Sequence, residues 1–148
     1  MVKLFLSVTL VTVWRVTFTI EDRFAVHEVI AMHGHLCDSG ELDRLDQVFT
    51  DDVVYDISDF GQEPLHGVAA MAEAGRALGD LNPVGHHVTN VVLTDIAADR
   101  VRARSKGIGV MADGSSGSVV YEDTVVRLPQ GWRIAHRRIV ARRKPLGK

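Results

Sequence analysis

The sequence predicts an α+β domain, with helices packed on one face of a curved, mainly antiparallel sheet. Three observations lead there: apolar residues recur at intervals of three and four early in the chain, long alternating segments fill everything after Gly85, and the breaks between those segments are short. At 148 residues, 46% of them hydrophobic, the chain can bury a core sufficient for one domain without staples. We expect an N-terminal arm or strand over residues 1–19 and a single domain over residues 20–148.

The opening MVKLFLSVTLVTVWRVTFT has the basic start and apolar run of a secretory signal. Its Val and Thr content, the interruption at Arg15 and the lack of a small-residue cleavage site favour a strand or ordered arm instead. From Ile20 to Asp38, Val26, Ile30, His33 and Cys37, joined by Val29 and Leu36, form one stripe of a helix. Asp22, Arg23 and Glu28 are its expected exposed positions, and Ser39-Gly40 stops it. Leu42, Leu45, Val48 and Phe49 share a face of a second short helix over residues 41–49, and Val53–Ile57 reads as a strand. Residues 58–66 carry Gly61 and Pro64 and read as a loop, followed by an alanine-rich helix over residues 67–78.

After Gly85 four strands are expected, at residues 86–97, 99–112, 117–128 and 131–142, paired in sequence as a meander. Alternation places His86, Val88, Asn90 and Val92 together on the first, with His87, Val91 and Leu93 opposite; the periodicity is close to a tie, and we take His86 as interior. On the second, Arg100, Arg102, Arg104 and Lys106 line a wet face, leaving Val101, Ala103, Ser105 and Gly107 inward, where either a cavity or a bulge would account for the small residues. On the last, Trp132, Ile134, His136, Arg138 and Val140 fall together.

Seventeen Lys and Arg against nineteen Asp and Glu give a charge of −2, which leaves no global field for nucleic acid or an anionic membrane and points to a small-molecule partner. The basic stretch Arg137, Arg138, Arg142, Arg143 and Lys144 reads as a solvated edge. Cys37 stands alone, excluding an internal disulfide or a thiolate zinc cluster and suiting a reducing cytoplasm. No HExxH or facial-triad spacing, phosphate-cradling glycine loop or GxSxG elbow is present, so neither a metal nor a cofactor is expected.

The chemistry-bearing candidates are therefore proton-handling side chains. Asp38, at a helix C-terminus, faces the negative end of the dipole and asks for a cationic or hydrogen-bonding partner. His33 lies on the buried stripe, where an imidazole must be hydrogen-bonded to be tolerated, and His86 opens a strand. Tyr55, Tyr121, Trp132, His136 and Arg138 are candidate lining residues, Arg138 also as a counter-ion to Asp38.

The helix ending His33-x4-Asp38, the segment LDRLDQVFTDDVVYD, His66-Gly67 leading a helix, HHVTN at His86–Asn90 and the closing GWRIAHRR together resemble the SnoaL-like polyketide cyclases of the nuclear transport factor 2-like superfamily. The resemblance covers residues 20–142 and implies a cone-shaped α+β domain with an acid/base site in its mouth. Relatives in that superfamily include scytalone dehydratase, ketosteroid isomerase and limonene-epoxide hydrolase. It further implies that Asp38 corresponds to the aspartate following the first helix in scytalone dehydratase-like members and His86 to the strand histidine paired with it. The tyrosine often found five residues before that aspartate is His33 here. Limonene-epoxide hydrolase-like members use an Asp-Arg-Asp set, whereas the one Arg-x-Asp spacing here, Arg44-Leu45-Asp46, falls on a helix.

These readings converge on a cofactor-independent acid/base enzyme for a small apolar, polyketide- or steroid-like molecule, acting as dehydratase, isomerase or cyclase, with His86 as acid or base, Asp38 orienting it and His33 or Tyr121 polarising the substrate oxygen. A non-catalytic ligand-binding or dimerising domain is the competing class. Under either, a homodimer through the outer sheet face is expected.

Overall fold

The computed structural model describes residues 17–147. The arm expected over residues 1–19 therefore lies, as far as Val16, outside the described residues; Thr17 to Thr19 lead straight into the first helix. The elements are α1 (Ile20–Asp38), a 3-10 turn (Leu42–Gln47), β1 (Phe49–Asp56), a 3-10 turn (Ser58–Phe60), β2 (Leu65–His66), α2 (Val68–Leu78), a 3-10 turn (Gly79–Leu81), β3 (Gly85–Thr94), β4 (Arg100–Val110), β5 (Ser116–Leu128), β6 (Gly131–Ala141) and a 3-10 turn (Pro145–Gly147). Six strands form one sheet in the order β2-β1-β6-β5-β4-β3. Every pairing is antiparallel except β1 with β6.

The meander follows from its short turns, but the regions before it differ from the sequence reading in detail. The second helix is a six-residue 3-10 segment, Leu42–Gln47, and the chain is already extended at Phe49. Part of the expected loop, Leu65–His66, is a two-residue strand on the β1 edge. No helix of the described chain is long and apolar enough to cross a membrane.

The core lies between α1 and the concave face of the sheet, where Val26, Ile30, Phe49, Val53, Val101, Val125 and Ile134 are sealed from solvent. Removing each such side chain from water contributes about 1.5–3 kcal/mol. On β4 the alternation holds: Arg100, Arg102, Arg104 and Lys106 are exposed while Val101, Ala103 and Ser105 are buried. The space over Gly107 is neither a cavity nor a bulge, because a Cβ there would overlap the ring of Tyr121.

Register shifts interrupt three of the strand pairings, and those on β3 and β6 change which residues face inward. On β3, Asn90 (φ 54°) and Val91 together oppose Ser105, so Val91 and Leu93 turn inward after His86 and Val88 while Val92 is exposed. The near-tie between the two faces of this strand thus records a strand that changes face. On β6 the register slips at Ala135, between Ile134 and His136, so Trp132 and Ile134 point inward and are followed on that side by Arg137 and Ile139. His136 and Arg138 are displaced to the outer face, contrary to the sequence reading.

The start of α1 is fastened by Asp22, which is buried and not exposed as expected. Thr19 and Asp22 form a reciprocal capping box: the Asp22 N–H donates to Thr19 Oγ1 (3.2 Å) and the Thr19 N–H to Asp22 Oδ2 (2.9 Å). The same carboxylate accepts from Trp132 Nε1 (3.0 Å) and Arg127 Nη2 (2.6 Å), tying the helix to the turn between β5 and β6. Its hydrogen bond from Arg127 holds this acid well below the usual carboxylate range. An acid with a depressed folded-state pKa adds stability above its unfolded value of about 3.9 and loses it as pH falls from there. We predict that Asp22→Ala lowers unfolding free energy by about 2–3 kcal/mol near neutral pH, and that this difference in denaturant melts shrinks steadily below about pH 4.

A candidate acid/base site at the mouth of the cone

α1 and β3 touch along their backbones. Gly34, one turn before the end of α1, lies so close to β3 that a Cβ there would sit 2.6 Å from the carbonyl oxygen of His86. That approach brings the helix C-terminus onto the first residues of the strand. Asp38 then binds His86 twice: Oδ2 accepts the His86 backbone N–H at 2.8 Å and Oδ1 lies 2.6 Å from ring Nδ1. The ring nitrogen facing a carboxylate carries the proton, so Nδ1–H donates and Nε2 is left as the basic atom. Both side chains remain about a fifth to a quarter exposed, at 18% for His86 and 26% for Asp38.

Beside this pair a cavity of about 1260 Å³ opens between the sheet, α2 and the following turn. Its walls are mainly apolar, from Leu42, Leu65, Met71, Leu78 and Leu81, and His33, Asp38 and His86 supply polar groups on one side. Cys37 also borders it, its thiol pushed up to about 11 by burial and by Asp38, and so protonated. Among the described residues no group of three His, Cys, Asp or Glu side chains could hold a metal ion.

His33 is almost sealed, 3% exposed, within a box of rings: Phe49 at 5.5 Å, His86 at 5.8 Å, Tyr55 at 6.1 Å and Tyr121 at 6.2 Å between centroids. Burial, with Arg137 and His86 nearby, lowers its pKa well below the ordinary imidazole value, so it is neutral around pH 7. Tyr55 lines the cavity, and burial raises its phenol far above the usual range, leaving it a hydrogen-bond donor.

The remaining candidates lie elsewhere. Tyr121 packs behind His33, against Gly107 and beneath Arg137, away from the cavity lining. Trp132 belongs to the core beside Asp22, Phe18 and Arg127. The β6 bulge puts His136 and Arg138 on the far side of the sheet, where Arg138 lies 3.8 Å from both Asp56 and Glu122 and cannot be the counter-ion of Asp38.

That bulge also buries a residue read from sequence as a solvated edge. Arg137 is fully enclosed and donates through Nε and Nη2 to Asp123 at 2.8 and 2.7 Å, with its guanidinium 4.4 Å from the centroid of Tyr121. Burial works against its charge and Asp123 more than restores it, so Arg137 stays protonated. Removing either partner of such a pair costs about 3–5 kcal/mol. The available signal was Asp123 itself, a carboxylate on the same face as Tyr121 in an apolar strand, which demanded a cation from a neighbouring strand.

A mostly antiparallel sheet backed by helices is the nuclear transport factor 2-like fold, and it carries here an Asp–His pair at the edge of an apolar cavity, a candidate acid/base site. The chain belongs to the family of SnoaL-like domains, whose model matches residues 19–138. Among solved structures it is similar to a protein from Novosphingobium aromaticivorans provisionally named an aromatic ring hydroxylase, at 28% identity, covering 85% of this chain and 92% of that one with a TM-score of 0.73. It is also similar to a protein of the same organism provisionally named a scytalone dehydratase (16% identity, 87% and 95% covered, TM-score 0.70). A third is hexachlorocyclohexane dehydrochlorinase from Novosphingobium barchaimii (17% identity, 84% and 88% covered, TM-score 0.69). At these identities the last two establish the fold alone. No curated protein sequence matches.

Two outcomes follow from this geometry. Gly34→Ala should push β3 from α1 and destabilise the fold by about 1–3 kcal/mol. It should also weaken the Asp38–His86 contact, read as altered His86 side-chain resonances in an otherwise native spectrum. Because the folded state resists protonating His33, the unfolded state takes up the extra proton below its pKa of about 6.5, and stability falls as pH drops from there. This group contributes a slope of at most about 1.4 kcal/mol per pH unit, and His33→Asn should flatten the slope in pH-dependent denaturant melts.

Proposed function

We propose that this protein is a cofactor-independent acid/base enzyme acting on a small, mainly apolar molecule. In this reading His86 Nε2 removes a proton from a carbon next to an activating group, and Asp38 keeps the ring oriented and stabilises the imidazolium that forms. His33, neutral and beside His86, polarises the substrate oxygen or leaving group. Substrate enters the apolar cavity and displaces water from these groups, which strengthens their interactions. The single observation that carries the reading is the double contact of Asp38 with His86 at the edge of that cavity, with 2.6 Å between Oδ1 and Nδ1.

Dehydration, isomerisation and ring closure all begin with such a proton transfer. Elimination is the outcome we propose; a provisionally named dehydratase and a dehydrochlorinase share this fold, and both names denote removal of hydrogen with a leaving group. The protonated His86, or water, returns the proton to the departing group. A homodimer and a cytoplasmic location complete the proposal. The row of exposed cations on β4 would disfavour any two-fold pairing that set Arg100, Arg102, Arg104 and Lys106 against their own copies.

The reading is tested by turnover on a panel of β-hydroxy ketones and halogenated rings. Asp38→Asn and His86→Ala should each lower kcat by about 10²–10⁴-fold while circular dichroism and ligand binding stay native. Rates unchanged in both variants, or ligands bound without any turnover, would favour a binding protein instead.

A further inference from the structure

Among the described residues four buried side-chain atoms have no hydrogen-bond partner: Thr50 Oγ1, Ser105 Oγ, His33 Nδ1 and Arg137 Nη1, of which the last two concern the site. These two are complementary in kind, because a guanidinium nitrogen can only donate and a neutral imidazole has one nitrogen that can only accept. Both side chains border the same rings. Phe49 lies 5.5 Å from His33 and 5.6 Å from the Arg137 guanidinium, and Tyr121 lies 6.2 and 4.4 Å away respectively. Tyr55, whose ring is 6.1 Å from His33, is the direct β1 partner of Arg137. Since Nε and Nη2 of Arg137 are committed to Asp123, Nη1 is the donor left over.

We propose that Arg137 is a positioning residue that holds His33 in the tautomer with its proton on Nε2, its unpaired Nη1 donor reaching His33 Nδ1 through one enclosed water. The opposite tautomer would set an N–H of His33 against the cationic donor, which a low-dielectric interior penalises. Because His33 borders the cavity and Nδ1 is sealed, Nε2 is the nitrogen left to the cavity side. The two histidines then acquire different roles from partners of opposite charge. Asp38 takes the Nδ1 proton of His86 and frees its Nε2 as a base, whereas Arg137 occupies Nδ1 of His33 and leaves its Nε2–H as a donor towards substrate. The use of that donor in catalysis rests on the acid/base reading above, but the tautomer itself does not.

The test is nitrogen-15 NMR of histidine-labelled wild-type protein near pH 7 without substrate, with His33 assigned by the resonances lost in His33→Gln. A protonated Nε2 and an unprotonated Nδ1 are expected; the reverse pattern, or an imidazolium, would overturn the proposal. The double variant Asp123→Asn with Arg137→Gln removes both buried charges together and should convert His33 to a mixture of tautomers. Arg137→Lys, which keeps the charge but loses the planar reach of the guanidinium, should do the same and serves if the double variant does not fold. A His33 tautomer unchanged in the folded variant would overturn the role given to Arg137. As these spectra need no turnover, a wrong tautomer and an inactive protein are separate failures.

Discussion

The site depends on a steric constraint more than on any single attractive interaction: α1 must come within backbone contact of β3. Gly34 permits this because it places no side chain against the His86 carbonyl. From that contact follow the position of Asp38 over the start of the strand, its double engagement with His86 and the orientation of the imidazole. The capping box at the other end of α1 fixes the same helix against β5 and β6, so the carboxylate of Asp38 is carried by a rod secured at both ends. A side-chain pair held by helix and strand is better defined in space than one carried on loops.

Behind this pair lies a second constraint, the charge enclosed with Arg137. A buried guanidinium is tolerable only with its carboxylate, and the pair with Asp123 offers no assurance of net stability over an apolar alternative. Its consequence is local polarity: a positive charge behind His33 opposes protonation there, while a carboxylate meets His86 on the exposed side. Two imidazoles with ring centres 5.8 Å apart therefore occupy different electrostatic surroundings. Such a difference in surroundings is the kind that lets one imidazole serve as base and another as donor, as the proposed chemistry requires.

The fold was largely legible in the sequence because helical spacing, short turns and an unbroken alternation on β4 each pointed the same way. Asp38 and His86 were legible as residues, through the helix end and the strand start, and their proximity is a product of Gly34 that no local pattern announces. What escaped was the sidedness of strands that contain bulges. One extra residue at Ala135 exchanged the fates of His136 and Arg138 with that of Arg137, and another at Asn90–Val91 made the two faces of β3 look alike. A bulge is fixed by the partner strand and by twist, so the composition of its own strand gives little warning. Asp22 was misplaced for a related reason, since its partners Trp132 and Arg127 lie more than a hundred residues away.

The most direct measurement of the central claim is a crystal structure with a neutral β-hydroxy ketone or its elimination product bound. The account predicts the ligand in the apolar cavity with its acidic carbon, or the product carbon derived from it, within about 3.5 Å of His86 Nε2 and Asp38 still bound to Nδ1. A ligand seated in the same cavity with His86 Nε2 turned away from every reactive carbon would contradict it.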